Sequence, residues 1–163
     1  MGNIMGKEYS RKLLGEILVE QGKITPENLE RVLAAQKEST LRIGRHLVTM
    51  GFASEEDVLR ALSLQLDLPY ITAKDYPAEP VMVDSITAKF MKQNRFAPLW
   101  ASNGDLSIAM HDPLDVSTIE AIMMATGLRV RVGIGKEEDI LKNVEDLYGS
   151  GASSMDRIID DIE

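Results

Sequence analysis

The sequence predicts an α+β fold, in which an N-terminal helical hairpin repeat is followed by a small α/β subdomain with a roughly three-stranded sheet. Two copies of one pattern of apolar residues and glycines lie near the start of the chain, and Gly15 of the first returns as Gly44 of the second. A proline-containing stretch then interrupts the helical period, and short extended runs alternate with helical ones beyond it. The predicted bounds are 1–70 for the repeat, 71–83 for a connector, 84–149 for the α/β subdomain and 150–163 for a linker toward a missing module.

Each copy of the repeat predicts a helical hairpin, which gives about four short helices in all. The landmarks of the first copy are Leu14, Gly15, Leu18, Val19, Gly22, Leu29, Leu33 and Gln36, and those of the second are Ile43, Gly44, Leu47, Val48, Gly51, Val58, Leu62 and Gln65. A single apolar stripe is predicted for Leu13, Leu14, Ile17 and Leu18, because residues three and four apart share a helix face. Gly22 and Gly51 suit helix ends, and Thr25 and Ser54 suit the N-caps that follow. Neither copy can bury its apolar face alone, so we expect them to pack as one body.

The remainder of the chain predicts a small α/β unit. A short extended piece is expected at Pro69–Ile71, followed by helices over 85–93, 117–126 and 137–147 and extended segments over 95–101, 106–110 and 128–132. Asp84 is predicted to cap the first of these helices, Asn103-Gly104 indicates a hairpin, and Gly127 is predicted to end the second helix. Gly133–Lys136 lacks the spacing of a phosphate-binding loop, so an ordinary turn is predicted there.

Composition excludes several classes of function. The 163 residues are 44% hydrophobic, include no cysteine and carry a net charge of −8. An acidic chain is a poor ligand for nucleic acid or anionic lipid, and a chain without cysteine forms no thiolate metal site. No apolar run approaches the roughly 20 residues of a membrane span, and no signal peptide is evident, so a cytoplasmic location is expected. The two histidines, His46 and His111, predict neither a metal site nor a catalytic triad.

The repeat resembles the N-terminal domain of the type II secretion and type IV pilus assembly ATPases. It is most similar to the cyclic di-GMP-binding version of that domain, in which a motif beginning Arg-Leu-Gly recurs after a five-residue spacer, here Lys37–Leu41. Ala97–Leu99 and Ile108–Asp115 resemble signatures of the family's second subdomain. The sequence departs from the family pattern at Leu13, which stands where the second copy has Arg42, and at Lys23, whose position is usually apolar.

This resemblance implies a non-catalytic regulatory domain that binds cyclic di-GMP. The implied ligand-binding residues are Leu14, Gly15, Leu18, Gln36, Arg42, Ile43, Gly44, Leu47 and Gln65. The resemblance also implies an ATPase core in the same chain, which alone would hold ATP and magnesium, and a hexameric full-length protein. The implied partner is an inner-membrane platform protein of the secretion or pilus machinery, which would hold the protein at the inner face of that membrane. No cofactor and no nucleic acid partner are expected for this region.

These residue types suit a ligand that has two flat guanines and two phosphates. An arginine fork matches the O6 and N7 atoms of guanine or a phosphate group, and glutamine both donates and accepts hydrogen bonds at a base edge. Leucine and isoleucine offer apolar faces, and glycine lets a ligand approach the backbone closely.

Two alternatives remain open at the level of sequence. In the first, the glycines only let helices cross closely, the leucines form core, and the glutamines are surface amides that cap turns. In the second, the helical face docks on the cytoplasmic part of the platform protein without nucleotide. The basic residues at the starts of the two copies suit either a small anion or ordinary solvated faces; they are Arg11, Lys12, Arg42, Arg45 and His46.

Overall fold

The computed structural model describes residues 13–37, 42–83 and 85–149. These residues form seven α-helices, one short 3₁₀ helix and four strands, so the predicted α+β fold is confirmed. The chain divides into two compact units, Met1–Tyr70 and Ile71–Glu163. Each unit is built around its own apolar core.

The first unit contains the four short helices that the repeat predicts. They are α1 (Leu14–Glu20), α2 (Pro26–Gln36), α3 (Ile43–Thr49) and α4 (Glu55–Leu66). Gly22 and Gly51 follow α1 and α3 with φ of 71° and 77°, in the left-handed region where glycine carries no Cβ penalty. The hydroxyls of Thr25 and Ser54 cap α2 and α4 by accepting backbone N–H bonds of 3.1 and 3.0 Å.

The helices of the two copies pack chiefly across the repeat. Helix α1 lies against α4, and α2 lies against α3, so the first helix of each copy covers the second helix of the other. Their shared core consists of Leu14, Ile17, Leu18, Ile24, Val32, Leu47, Val58 and Ala61. Burial of a leucine, isoleucine or valine side chain contributes about 1.5–3 kcal/mol, and here each copy supplies part of the buried surface. The two copies therefore form one folding body.

Leu13 does not belong to the apolar stripe that the sequence predicts. It is 67% exposed and stands at the N-cap of α1 with extended backbone, where its N–H donates to the Glu16 carboxylate over 3.2 Å. Because helical geometry begins only at Leu14, the spacing rule that places residues on one face does not apply to Leu13. That part of the prediction is wrong.

The second unit is organised around a four-stranded sheet of order β1-β4-β3-β2. Its strands are β1 (Tyr70–Ile71), β2 (Phe96–Ser102), β3 (Asp105–Met110) and β4 (Arg129–Gly135). Strands β2 and β3 form an antiparallel hairpin, in which Asn103 and Gly104 have φ of 53° and 82°, and β3 runs parallel to β4. The sequence predicts a roughly three-stranded sheet and, separately, a short extended piece at Pro69–Ile71; the structure includes this piece in the sheet as β1, the fourth strand.

Three helices accompany the sheet. They are α5 (Ala88–Gln93), α6 (Val116–Thr126) and α7 (Glu137–Tyr148). Helix α6 ends at Gly127, as predicted, with φ of 70°. Helix α5 begins later than predicted, because Ser85 has φ of 82° and the N-cap is Thr87, whose hydroxyl accepts from the Phe90 N–H at 3.1 Å. The predicted cap, Asp84, lies outside the described residues.

The core of the second unit lies between the sheet and these helices. Its fully buried side chains include Met91, Phe96, Leu106, Ile108, Met110, Ile122 and Ile140. The segment from 71 to 83 begins in β1, forms a 3₁₀ helix at Ala73–Asp75 and then runs without regular structure. Hydrogen bonds with two side chains of α7 hold this segment on that helix. The Val81 N–H donates to the Tyr148 hydroxyl at 2.7 Å, and the Asn143 amide donates to the Pro77 carbonyl at 3.2 Å.

Candidate ligand site of the tandem repeat

Gly15 and Gly44 are buried residues in the first turns of α1 and α3, and each faces the second helix of its own copy. A Cβ added to Gly15 would overlap the Leu29 side chain, and a Cβ added to Gly44 would lie 2.8 Å from Cγ1 of Val58. Such distances are shorter than van der Waals contact, so the helices pack this closely only because both residues lack a side chain. Each glycine therefore has a packing role, as the first alternative from the sequence proposes.

The same glycines also contact the other copy. A Cβ on Gly15 would lie 3.4 Å from Cδ1 of Ile43, and a Cβ on Gly44 would lie 3.3 Å from Cδ2 of Leu14. Leu14 and Ile43 are equivalent positions of the repeat, as are the two glycines, so each copy gives and receives the same contact. The structure thus brings four predicted ligand-binding residues together in two equivalent pairs.

Leu18 and Leu47 are the most buried of the predicted ligand-binding residues. Both side chains are 0% exposed and belong to the core of the first unit. In this conformation they present no surface to a ligand; Leu14 belongs to the same core, and Ile43 packs against that core.

Arg42 and Leu13 occupy equivalent places at the N-caps of α3 and α1. Their backbones match closely, with φ/ψ of −69°/152° for Arg42 and −73°/152° for Leu13. Both residues are exposed, so the first unit presents one guanidinium and one isobutyl group at two related positions. Arg42 is therefore accessible to an anionic or guanine ligand.

Gln36 and Gln65 lie at the C-terminal ends of α2 and α4. Gln36 is the last residue of α2 and Gln65 the next to last of α4, and both are half-buried. Helix α2 packs on α3, which begins after Arg42, and α4 packs on α1, which begins after Leu13. The helix of Gln36 therefore packs on the helix that Arg42 precedes, and the helix of Gln65 packs on the helix that Leu13 precedes.

A separate polar cluster lies on the sheet of the second unit. The Asp105 carboxylate accepts from Nε of Arg129 at 2.7 Å and from Nε of Arg131 at 2.9 Å. The hydrogen bond from Arg131, followed by the charges of both arginines, lowers the pKa of Asp105 against the opposing effect of its burial. Sequence reasoning does not find this cluster, because the register of parallel strands pairs Asp105 with Arg129 across a helical crossover.

Neither a metal-binding cluster nor a membrane-spanning helix is present in the described ranges. Among residues 13–37, 42–83 and 85–149, no three histidine, aspartate or glutamate side chains are placed to share a metal ion. The helices of this part of the chain include none with the length and hydropathy to cross a bilayer.

Comparison with known proteins identifies the class. The family model of the MshEN domain matches residues 66–154, which is more than half of the chain. The chain therefore belongs to the MshEN domain family. The matched range begins at the last residue of α4 and covers the second unit, whereas the repeat precedes it.

The curated relatives include secretion and pilus ATPases. Type II secretion system protein E of Xanthomonas campestris pv. campestris is 30% identical over 149 residues, which are 89% of this chain and 26% of that protein. The type IV pilus assembly ATPase PilB of Myxococcus xanthus is 26% identical over 149 residues, which are 91% of this chain and 26% of that protein. The chain spans about a quarter of the length of these relatives.

Two solved structures share the fold over most of the chain. A structure of MshE with cdg, cyclic di-GMP, superposes with a TM-score of 0.69 at 30% identity and covers 84% of this chain and 99% of that one. The N-terminal domain of XpsE superposes with a TM-score of 0.68 at 26% identity and covers 91% of this chain and 100% of that one. The chain is thus a non-catalytic N-terminal domain of the type found in type II secretion and type IV pilus ATPases.

Proposed function

We propose that the tandem repeat binds cyclic di-GMP and thereby regulates a type II secretion or type IV pilus assembly ATPase. The observation that carries this proposal is the reciprocal contact of Leu14 and Gly15 with Ile43 and Gly44. A cyclic dinucleotide of two identical halves has two-fold symmetry, and a site made of two related halves offers each guanine a similar surface. The structure of MshE with cdg supports the proposal through its similar fold and 30% identity.

The accessible residues define the chemistry of the proposed site. Arg42 provides a guanidinium for a guanine edge or a phosphate, and the half-buried Ile43 provides an adjoining apolar surface. Gln36 and Gln65 are proposed to bond guanine edges, since an amide donates and accepts at once. Leu18 and Leu47 are proposed to act by holding Leu14 and Ile43 in place, because their own side chains are buried.

The wider role follows from the relatives. We propose that the full-length protein contains an ATPase core that holds ATP and magnesium, forms a hexamer, and works in the cytoplasm at an inner-membrane platform protein. Cyclic di-GMP would then bias how this domain docks on the ATPase core. In this scheme the ligand controls the core from a site that takes no part in hydrolysis.

Calorimetric titration of buffer-exchanged protein with cyclic di-GMP tests the proposal, with cyclic di-AMP as the specificity control. Saturable binding of cyclic di-GMP in preference to cyclic di-AMP is the expected result. If neither nucleotide binds, the repeat is not a nucleotide sensor, and docking of the helical unit on the platform protein becomes the favoured function.

Arg42→Ala tests the residue on which the chemistry depends. We expect weaker cyclic di-GMP binding by about 1–3 kcal/mol, the usual value of a bidentate arginine contact to guanine. The melting temperature should barely change, because Arg42 is exposed at an N-cap. Arg31→Ala, at an exposed site in α2, is the matched control. Equal affinity of the wild-type and Arg42→Ala proteins would remove Arg42 from the site.

A further inference from the structure

The two copies of the repeat differ at two exposed positions around the first turn of their first helix. The second copy has Arg42 at the N-cap of α3 and Arg45 three residues later, whereas the first copy has Leu13 and Glu16 at these positions. All four residues are exposed. The Glu16 carboxylate accepts from the Leu13 N–H at 3.2 Å, so this side chain caps α1. The second copy therefore offers two guanidiniums where the first offers an isobutyl group and a carboxylate.

The other positions of the proposed ligand site are of the same kind in both copies. The two N-caps have nearly the same backbone dihedral angles, so the copies differ there in side chain and not in the path of the chain. Each copy keeps an apolar residue and a glycine in its first turn and a half-buried glutamine near the end of its second helix; these pairs are Leu14 and Ile43, Gly15 and Gly44, and Gln36 and Gln65. The two halves of the site therefore differ in chemistry at the N-cap and at the third helical position.

This difference bears on how each half would recognise a base. Selection of guanine requires hydrogen-bond donors, because the O6 and N7 atoms of guanine both accept. The Arg42 guanidinium supplies such donors, whereas Leu13 has no polar side-chain atom and the Glu16 carboxylate only accepts. Glutamine suits adenine as well, because its amide accepts from N6 and donates to N7, and apolar contact to the face of a base is nearly independent of the base. The described side chains of the half-site at Leu13 therefore do not favour guanine over adenine.

We propose that the repeat selects guanine in only one half of its ligand. This inference rests on the proposed nucleotide function and specifies its ligand class, because Arg42 selects one guanine and the half-site at Leu13 takes either guanine or adenine. The ligands are then 3′,3′-cyclic dinucleotides with at least one guanine, which include the hybrid cyclic GMP-AMP beside cyclic di-GMP. Leu13 determines this tolerance, since it stands where a second guanidinium would otherwise read the second base.

Calorimetric titration of the intact chain with cyclic di-GMP, 3′,3′-cyclic GMP-AMP and cyclic di-AMP tests the proposal. Cyclic di-GMP and the hybrid should bind within about threefold of each other, which is less than one arginine contact to guanine contributes. Part of this difference is statistical, because cyclic di-GMP can place a guanine at Arg42 in either of its two orientations and the hybrid in only one. Cyclic di-AMP should bind at least about fivefold more weakly than the hybrid, since Arg42 then meets no guanine.

Leu13→Arg gives the first copy the guanidinium of the second and should change the order of affinities. The preference for cyclic di-GMP over the hybrid should rise at least about fivefold, because an arginine would then read each base. Leu13 is 67% exposed, so its replacement removes little buried surface. Leu114→Arg, at an exposed leucine of the second unit, is the matched control and should leave the ligand ratio at its wild-type value.

The outcomes separate this inference from the function on which it rests. A wild-type preference for cyclic di-GMP over the hybrid of about fivefold or more would overturn the inference and leave the proposed function intact. A guanine donor supplied by Arg11 or Lys12, which lie outside the described residues, would produce that result. The wild-type ratio involves no substitution, so the test remains decisive even if Leu13→Arg is unstable. If none of the three nucleotides binds, the proposed function fails and this inference fails with it.

Discussion

At the scale of single residues, Leu13 and Arg42 occupy the same place in two copies of one motif and expose different chemistry. Both cap a short helix with extended backbone, and neither side chain is part of the core. A leucine that is 67% exposed contributes little burial energy, so its replacement should leave the fold intact. The difference between the two positions therefore concerns what a ligand meets, and substitution can test it with little effect on stability.

Leu13→Arg should tighten cyclic di-GMP binding by about 1–3 kcal/mol. The first copy would gain a guanidinium that contacts the ligand as Arg42 is proposed to do in the second copy. The gain should shrink as salt is added. Titration and melting temperature are measured together, with Leu114→Arg, at a leucine exposed by 45% in the second unit, as the control. A destabilised protein with unchanged affinity would mean that the first copy has no place for an arginine.

Asp105 is a carboxyl of the second unit whose ionisation is coupled to the fold. Its side chain lies between two arginines, and the Arg131 hydrogen bond holds its pKa below the ordinary value. A carboxyl with a lowered folded-state pKa stabilises the protein above the unfolded-state pKa of about 3.9, and that stabilisation is lost as the pH falls through the folded-state pKa.

Asp105→Asn should therefore lower the melting temperature at pH 7 and flatten its decline below about pH 4. Thermal unfolding monitored from pH 2 to pH 7 measures both effects. Asp112→Asn, at a loop carboxyl, is the control. An Asp105→Asn protein that follows the wild-type acid profile would show that the two arginines do not stabilise the fold through this carboxylate.

At the scale of elements, the first unit depends on short helices that approach closely at two glycines. Alanine is the better helix former by about 0.5–1 kcal/mol, so helix propensity alone favours replacing either glycine. The two sites differ in the neighbour that must move. Leu29 is unbranched at Cβ and half-buried beside an open groove, whereas Val58 is β-branched, buried and restricted in rotamer.

Gly44→Ala should destabilise the protein by about 1–3 kcal/mol, the usual cost of overpacking a well-packed site. Gly15→Ala should cost less, because the Leu29 side chain can turn into the groove. Chemical denaturation of both variants measures the two costs. A more stable Gly44→Ala protein would show that helix propensity outweighs the Val58 contact and that the approach of the helices is looser than described.

The elements also show what the sequence could predict. Local features are predictable from short sequence motifs, because they depend on neighbouring backbone groups. Examples are the N-caps Thr25 and Ser54 and the hairpin turn at Asn103-Gly104. The crossing of α1 on α4 depends on residues far apart in the chain, and β1 becomes a strand only through its partner in the sheet. The same limit applies to the site: the resemblance implies Leu18 and Leu47 as ligand-binding residues, but only tertiary packing reveals that both are buried.

At the scale of the whole molecule, two compact units follow each other along the chain, and the segment predicted as a connector is held on the second. Val81 and Pro77 are hydrogen-bonded to side chains of α7. Burial raises the pKa of the Tyr148 phenol, and the hydroxyl of this residue accepts from the Val81 N–H. The segment beyond Val81 nevertheless exposes Met82 by 86%.

Limited proteolysis tests the role of this anchor. Thermolysin should cut the chain between Gly149 and its end or before Met82 sooner than inside either copy of the repeat. Tyr148→Phe should speed the cut before Met82, because losing the hydrogen bond to Val81 costs about 0.5–1.5 kcal/mol of local stability. Early cleavage within 14–36 or 43–65 would contradict the helical-hairpin structure of the first unit.

The reciprocal contacts of Gly15 and Gly44 have a consequence for the hairpin as a unit. Each hairpin uses its glycine and the preceding apolar residue to contact the same two positions of the other hairpin. Such a surface is self-complementary, so one hairpin contains all the residue types that the interface needs. The short stretch between Gln36 and Arg42 then acts as a tether, which raises the local concentration of each copy for the other without adding a contact. Because both hairpins are in one chain, each copy can change its sequence independently of the other. Arg42 in one copy and Leu13 in the other are such a difference, which a homodimer of identical hairpins could not have.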